Sequence, residues 1–410
     1  MFHSFSIIFL SAAIISVINH KWIKLPSTIG SLILALVVSG FLIATQFIDQ
    51  GFYEETCQLV KASNFSELLL DIMLSFLLFA GAIHIDLRKL LDQKKSILTF
   101  ASIGVIISTV LFGLFFYFVS DILQLGLPLM VCMLLGAIVS PTDPIAVLAI
   151  LKEAGVSETM ELKIEGESLF NDGFGVVVFT VILSLVEHQT STGLGQEIGI
   201  IFLHEVLGGL FFGLVVGVIM KQLLLLVQDD GKLSIMITIA MTMGGYTLSE
   251  TLGVSGLLST VIAGIYTGHF INGPEYPKQL RIKINDIWGV LDYSLNVILF
   301  VLIGVSMHLV KFDQMVVIGA LLAIPGILLS RYVSVLISSF IVNAKSVFEQ
   351  KTILLLSWGA LRGGISLALV LSLMDSPYKS TLLTVVFCIV IFSIIVQGLT
   401  LGSVANRLTR

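Results

Sequence analysis

The sequence predicts an all-α polytopic membrane protein, and three observations carry that prediction. Hydrophobic residues make up 56% of the chain and charged residues only 12%, where a soluble domain carries roughly 25% charged residues. Apolar blocks of spanning length recur throughout the 410 residues. At about 1.5 Å rise per residue, each can cross a hydrocarbon layer of about 30 Å. Lysine and arginine, finally, gather in alternate connections between those blocks.

Reading the apolar blocks against Gly, Pro and charged breaks gives about thirteen spans. Their cores are 4–19, 27–48, 66–85, 96–120, 127–151, 161–187, 198–227, 233–250, 254–271, 287–309, 314–343, 350–374 and 380–404. The first block has no positive charge before it, and Lys21 and Lys24 after it. A cleavable signal peptide has the reverse polarity and a small-residue cleavage site, so this block is read as the first membrane helix. Connections after odd-numbered spans, with the C-terminus, hold 17 of the 22 Lys and Arg residues. Connections after even-numbered spans hold only Lys61, Lys311 and Lys379, while Arg331 and Arg362 lie inside spans. Basic connections stay on the cytoplasmic side, which places the N-terminus outside and the C-terminus inside. The net charge of −5, distributed in this way, suggests no nucleic-acid partner. Cys57, Cys132 and Cys388 have neither metal-site nor disulfide spacing.

Thirteen spans permit one transmembrane domain, 1–410, built from two inverted six-helix repeats. Repeat one would cover about 1–187 and repeat two about 233–404, with a linker helix at about 198–227. The fifth and twelfth spans then correspond, and both are interrupted: Ser140-Pro141-Thr142-Asp143-Pro144 in one, Gly359-Ala360-Leu361-Arg362-Gly363-Gly364 in the other. Proline removes an amide donor and clashes with the preceding turn, and paired glycines loosen the backbone. Matching breaks in inverted halves point to a midplane binding site, whereas a proline kink alone would be ordinary in a membrane helix.

The candidate chemistry lies at the start of the sixth span, where Glu165, Glu167, Ser168, Asn171 and Asp172 precede the apolar run 174–186. A carboxylate near the centre of a membrane helix costs about 2.5–3.5 kcal/mol on insertion scales, so it needs a partner or a purpose. Residues four apart share a helix face, which puts Ser168 beside Asp172 and Glu167 beside Asn171. The first stripe offers oxygen ligands for a small hard cation; the second offers a carboxylate for a basic residue. Arg331 and Arg362 each need a counter-charge in hydrocarbon. The deeper apolar setting of Arg331 favours a Glu167–Arg331 pair, with Arg362 facing carbonyl ends at the twelfth-span break. Asp143 either neutralises the free amide end of a broken helix or ligates an ion together with Thr142. Burial favours the protonated form of a carboxyl and a nearby cation favours the ionised form, so Asp172 can hold a proton or a metal ion but not both. His84, His269, His308, the His204–Glu205 neighbours and the Asp292–Asn296 face of the tenth span are weaker candidates.

The runs 136–144 (GAIVSPTDP), 165–173 (EGESLFNDG), 300–304 (FVLIG) and 361–364 (LRGG) resemble the NhaP- and NHE-like sodium/proton exchangers of the first cation/proton antiporter family. The resemblance implies that Asp172 is the ion- and proton-carrying carboxylate. It implies that Thr142, Asp143 and Ser168 complete the site for transported Na+, and that Asn171 holds the neighbouring helix. It also implies that Glu167 pairs with Arg331, that exchange is electroneutral, and that a homodimer works by an elevator-like movement. Leu78-Phe79 is followed by Ala80, where many relatives carry a glutamate, so Na+, Li+ and K+ all remain possible; no long regulatory tail is expected.

The expected function is monovalent cation/proton antiport in the cell membrane, for pH and sodium homeostasis. The expected partners are cations, protons, lipid and a second copy of the chain, with no resident cofactor and no enzymatic activity. A K+(Na+)/H+ antiporter is the nearest alternative. A cation channel is the alternative from another class, and the clustering of polar residues at one depth suits an alternating site better than a pore. An intramembrane aspartyl protease would need a different setting around its aspartates.

Overall fold

A computed structural model describes residues 2–45, 49–51, 73–143, 147–148, 150–151, 155–187, 194–310, 313–342, 350–374 and 376–409. Among these residues every regular element is helical and no strand forms. In chain order the helices are α1 (Phe2–Ile18), α2 (Ser27–Thr45), α3 (Leu74–Ala82), α4 (Leu87–Ala101), α5 (Ile103–Ile122), α6 (Leu129–Val139), α7 (Glu158–Glu187) and α8 (Leu194–Leu226). They continue with α9 (Gly231–Thr251), α10 (Gly256–Ile271), α11 (Lys278–Val305), α12 (Gln314–Val342), α13 (Gln350–Trp358), α14 (Gly364–Ser372), α15 (Lys379–Phe392) and α16 (Gly398–Thr409), the last two joined by a π-helical turn, Ser393–Gln397.

Among the described residues eight helical segments are long and apolar enough to cross a membrane, and α6 and α10 are shorter apolar helices. Large apolar side chains that stand exposed, such as Phe41, Phe118, Phe211 and Phe340, would be a liability in water and are at home against lipid. The chain is thus a multi-pass membrane protein.

Helix starts follow local chemistry more than hydropathy. The Asp86 carboxylate accepts from the Arg88 and Lys89 amides at 2.9 and 3.4 Å, and that of Asp230 from the Lys232 and Leu233 amides at 2.8 and 3.1 Å. Each satisfies amides that a helix start leaves bare. The fourth span, expected from 96, therefore begins earlier, at Leu87, and the tenth, expected from 287, begins at Lys278 directly after Pro277, without a side-chain cap. Their first turns carry charge, so a reading by apolar content misses them. Of the third span, expected over 66–85, residues 66–72 lie outside the described residues, as do Cys57 and Lys61.

Two groups of helices pack against each other. In one, α6 lies against α5, α7, α14 and α15, while α12 lies against α4, α5 and α15. In the other, α10 lies against α3, α8 and α9, and α11 against α1, α2 and α3. Both expected interruptions fall in the first group. Helix α6 stops at Val139, residues 140–143 are non-helical, and residues 147–148 and 150–151 are helical; α13 stops at Trp358 and α14 starts at Gly364. These breaks open a polar site inside an apolar bundle.

Candidate functional site

The two breaks are joined by a backbone hydrogen bond, the Asp143 amide donating to the Leu361 carbonyl at 2.8 Å. Such cross-bonds are required, because a helix interrupted in hydrocarbon leaves amides and carbonyls that water cannot satisfy. Gly363 precedes α14, and its Cα is so near Asp143 that a Cβ there would stand 2.3 Å from Asp143 Oδ2. The Asp143 carboxylate therefore lies at the amide end of α14, where the helix dipole favours negative charge. The reverse holds at the carbonyl end of α13. Arg362 Nη1 donates to the Ala360 carbonyl at 2.8 Å, and Gln397 Nε2 to the Trp358 carbonyl at 2.9 Å. Ser393 Oγ accepts from the Arg362 amide at 2.8 Å and donates to Gln397 Oε1 at 2.7 Å. The α13–α14 break thus has, at each of its two ends, a charge of the sign that the half-helix end requires.

Helix α7 supplies the carboxylates, and its polar residues divide by face. Asn171, fully buried, accepts from the Thr142 amide at 3.2 Å and donates through Nδ2 to Thr142 Oγ1 at 2.7 Å. Ser168 Oγ is 3.1 Å from the same hydroxyl. Ser168 and Asn171, three apart, therefore share the face that holds the α6 break, and Asn171 goes with Ser168 rather than with Glu167. Glu167 turns instead toward α12 and accepts from Arg331 Nη2, both side chains being only 4% exposed. Arg362 lines the same small cavity as Arg331 but hydrogen-bonds to backbone and not to Glu167.

Asp172 is 5% exposed, and its Oδ1 takes no hydrogen bond among the described residues. It lines a cavity of about 250 Å³ at the seam between the two helix groups. Helices α3 and α11 form one side; the two breaks, α7 and α14 form the other. Thr142, Asp143 and Glu165 also line this cavity, whereas Ser168, Asn171, Glu167, Arg331 and Arg362 do not. Ala80 forms part of the α3 wall, so no carboxylate stands at that point. Two more buried oxygens in the lining, Asn296 Oδ1 and Ser366 Oγ, lack partners among the described residues. Sequence reasoning missed Ser366, Ser393 and Gln397, because a hydroxyl or amide in an apolar helix signals nothing until its neighbours are known. The arrangement suits a small cation or a proton: carboxylate, hydroxyl and amide oxygens, with no lysine or arginine among the described residues of the lining.

Two interrupted helices bonded to each other beside a buried carboxylate, one oxygen of which has no partner among the described residues, in a multi-pass helical membrane protein, define a secondary transporter. Residues 8–407 match the family described as sodium/hydrogen exchanger, transmembrane, and the chain belongs to that family. It is 35% identical to the Na(+)/H(+) antiporter NhaP of Pseudomonas aeruginosa, covering 96% of this chain and 94% of that protein. It is 32% identical to the Na(+)/H(+) antiporter NhaH of Halobacillus dabanensis, over 98% and 97% of the two chains. Its fold is similar to the solved structure of the sodium proton antiporter MjNhaP1 from Methanocaldococcus jannaschii, with a TM-score of 0.78 at 21% identity, covering 98% of this chain and 97% of that one.

Proposed function

We propose that the protein exchanges Na+ for H+ across the cell membrane by alternating access, with one cation traded for one proton. The observation that carries this reading is Asp172: a buried carboxylate facing a cavity, beside two helix breaks bonded to each other, with one oxygen lacking a donor among the described residues. Thr142 and Asp143 share its cavity and complete the ion site, Ser168 and Asn171 hold Thr142 in place, and Glu167 is occupied by Arg331. With Glu167 neutralised, Asp172 carries either the proton or the cation, and a one-for-one trade is electroneutral. The names of the relatives support Na+ as the first cation to test.

In the same reading the chain spans the membrane about thirteen times, in two inverted halves joined by α8. Its N-terminus lies outside and its C-terminus in the cytoplasm, as the distribution of basic residues requires, and it works as a homodimer in pH and sodium homeostasis. The test is proton movement in proteoliposomes with the membrane potential clamped and Na+, Li+ and K+ added in turn. Dissipation of an imposed pH gradient by Na+, insensitive to the potential, is the expected result. Folded protein that shows no cation-dependent proton flux would overturn the reading.

Asp143 supplies a further expected outcome. Its carboxylate lies against Gly363 at the start of α14 and also lines the cavity, so it both steadies the break and faces the ion. Asp143→Asn keeps the shape and loses the charge. The apparent KM for Na+ should rise about tenfold, the equivalent of about 1.4 kcal/mol. An unchanged KM with reduced yield of folded protein would leave Asp143 a structural role only.

A further inference from the structure

The cavity contains a second polar cluster that the Asp172 site does not use. Helix α11 gives it Asp292, Asn296 and Leu299. Asp292 and Asn296 are four residues apart and share a helix face. Asn296 Nδ2 donates to the Asp292 carbonyl at 2.8 Å and to Asp292 Oδ1 at 3.0 Å. Both amide protons are thereby committed, and Asn296 Oδ1 is left as a bare acceptor. It lies in a side chain only 3% exposed and accepts from none of the described residues. A buried polar atom in this state is costly unless something polar meets it.

The charge around the cluster says what that something is. Among the described residues the lining includes four carboxylates, Asp143, Glu165, Asp172 and Asp292, one imidazole, His84, and neither lysine nor arginine. An anionic cleft walled by apolar side chains concentrates cations. Asp292 is half-buried and Asn296 buried, one turn further along α11. A carboxylate and an amide carbonyl are oxygen ligands of the kind hard cations take.

We propose that Asp292 and Asn296 form a second station for the transported monovalent cation, on the α11 wall of the cavity that Asp172 faces. The cation occupies it between the cavity mouth and Asp172, and the Asn296–Asp292 hydrogen bond keeps Asn296 Oδ1 turned outward from its own helix. This rests on the cation-exchange reading above. It is tested by a measurement that does not depend on exchange: binding of radioactive sodium to purified protein, in scintillation-proximity format, with choline as the balancing cation.

Asp172→Asn removes the first site and should leave residual, saturable sodium binding. Adding Asp292→Asn, or Asn296→Ala if the aspartate variant does not fold, should remove that residue of binding. Residual binding unaltered by both second substitutions, or no residual binding in folded Asp172→Asn, would overturn the proposal. In transport, Asp292→Asn alone should raise the apparent KM for Na+ about tenfold with the maximal rate nearly unchanged. A native KM in folded protein would equally count against the station. A native protein that binds sodium at Asp292 yet moves no protons would instead refute the exchange reading and leave the station standing.

Discussion

Asp172→Asn should abolish exchange, with a loss of at least about 100-fold, the equivalent of about 2.7 kcal/mol or more. An amide has almost the same shape as a carboxylate, so the fold is undisturbed, but it neither binds a proton at ordinary pH nor offers a negative oxygen to a cation. Neighbouring carboxylates are otherwise placed. Glu167 is committed to Arg331, Asp143 lies at the amide end of α14, and Asp292 belongs to the other wall of the cavity. The same carboxylate sets the pH dependence. If a proton and a cation compete for one group, the apparent KM for Na+ rises as the pH on the cation side falls. The limit is about tenfold per pH unit, and the maximal rate is approached at high Na+. Initial rates in proteoliposomes over a grid of pH and Na+ concentration check both statements. A variant that retains a tenth of the native rate, or a native KM that does not move with pH, would exclude Asp172 as the shared carrier.

The second large effect is on folding. Glu167 and Arg331 form an ion pair between α7 and α12, each 4% exposed. Removing one partner strands the other as a buried charge, which costs about 3–5 kcal/mol. Arg331→Ala and Glu167→Ala should therefore lower the thermal midpoint of the purified protein by many degrees and cut the yield of folded material. The double variant Glu167→Gln with Arg331→Met should recover most of the loss, since replacing a buried pair by well-fitting neutral groups is often neutral. It should also exchange cations, because neither residue lines the cavity. Thermal melting in detergent micelles with paired transport assays separates these outcomes. If the single variants melt like the native protein, the pair does not hold α7 to α12. If the double variant is stable but inactive, the pair has a part in transport beyond support.

The sequence alone determined the membrane class, because composition and apolar block length are sums over residues and need no geometry. It also located both helix breaks, since Pro141, Pro144 and the Gly359, Gly363 and Gly364 cluster act on their own backbone. It singled out Asp172 through the energetic cost of a carboxylate in apolar surroundings. What it could not determine was which face of each helix meets which neighbour. A helix that is apolar on the lipid side and apolar on the protein side shows no stripe from which rotation can be read.

Tertiary structure decided those contacts, of which only the Glu167–Arg331 pair was already expected from the charge balance in the sequence. It brought Arg331 to Glu167 across 164 residues of chain, turned Asn171 with Ser168 toward Thr142, and set Gln397 and Ser393 around the α13 end. It also placed Asp292 and Asn296, a weaker candidate in the sequence, on the wall of the Asp172 cavity. In hydrocarbon the burial of apolar surface from water does not choose between rotations. The choice falls to close contact and to the few polar groups that must find each other, and those groups lie far apart in sequence.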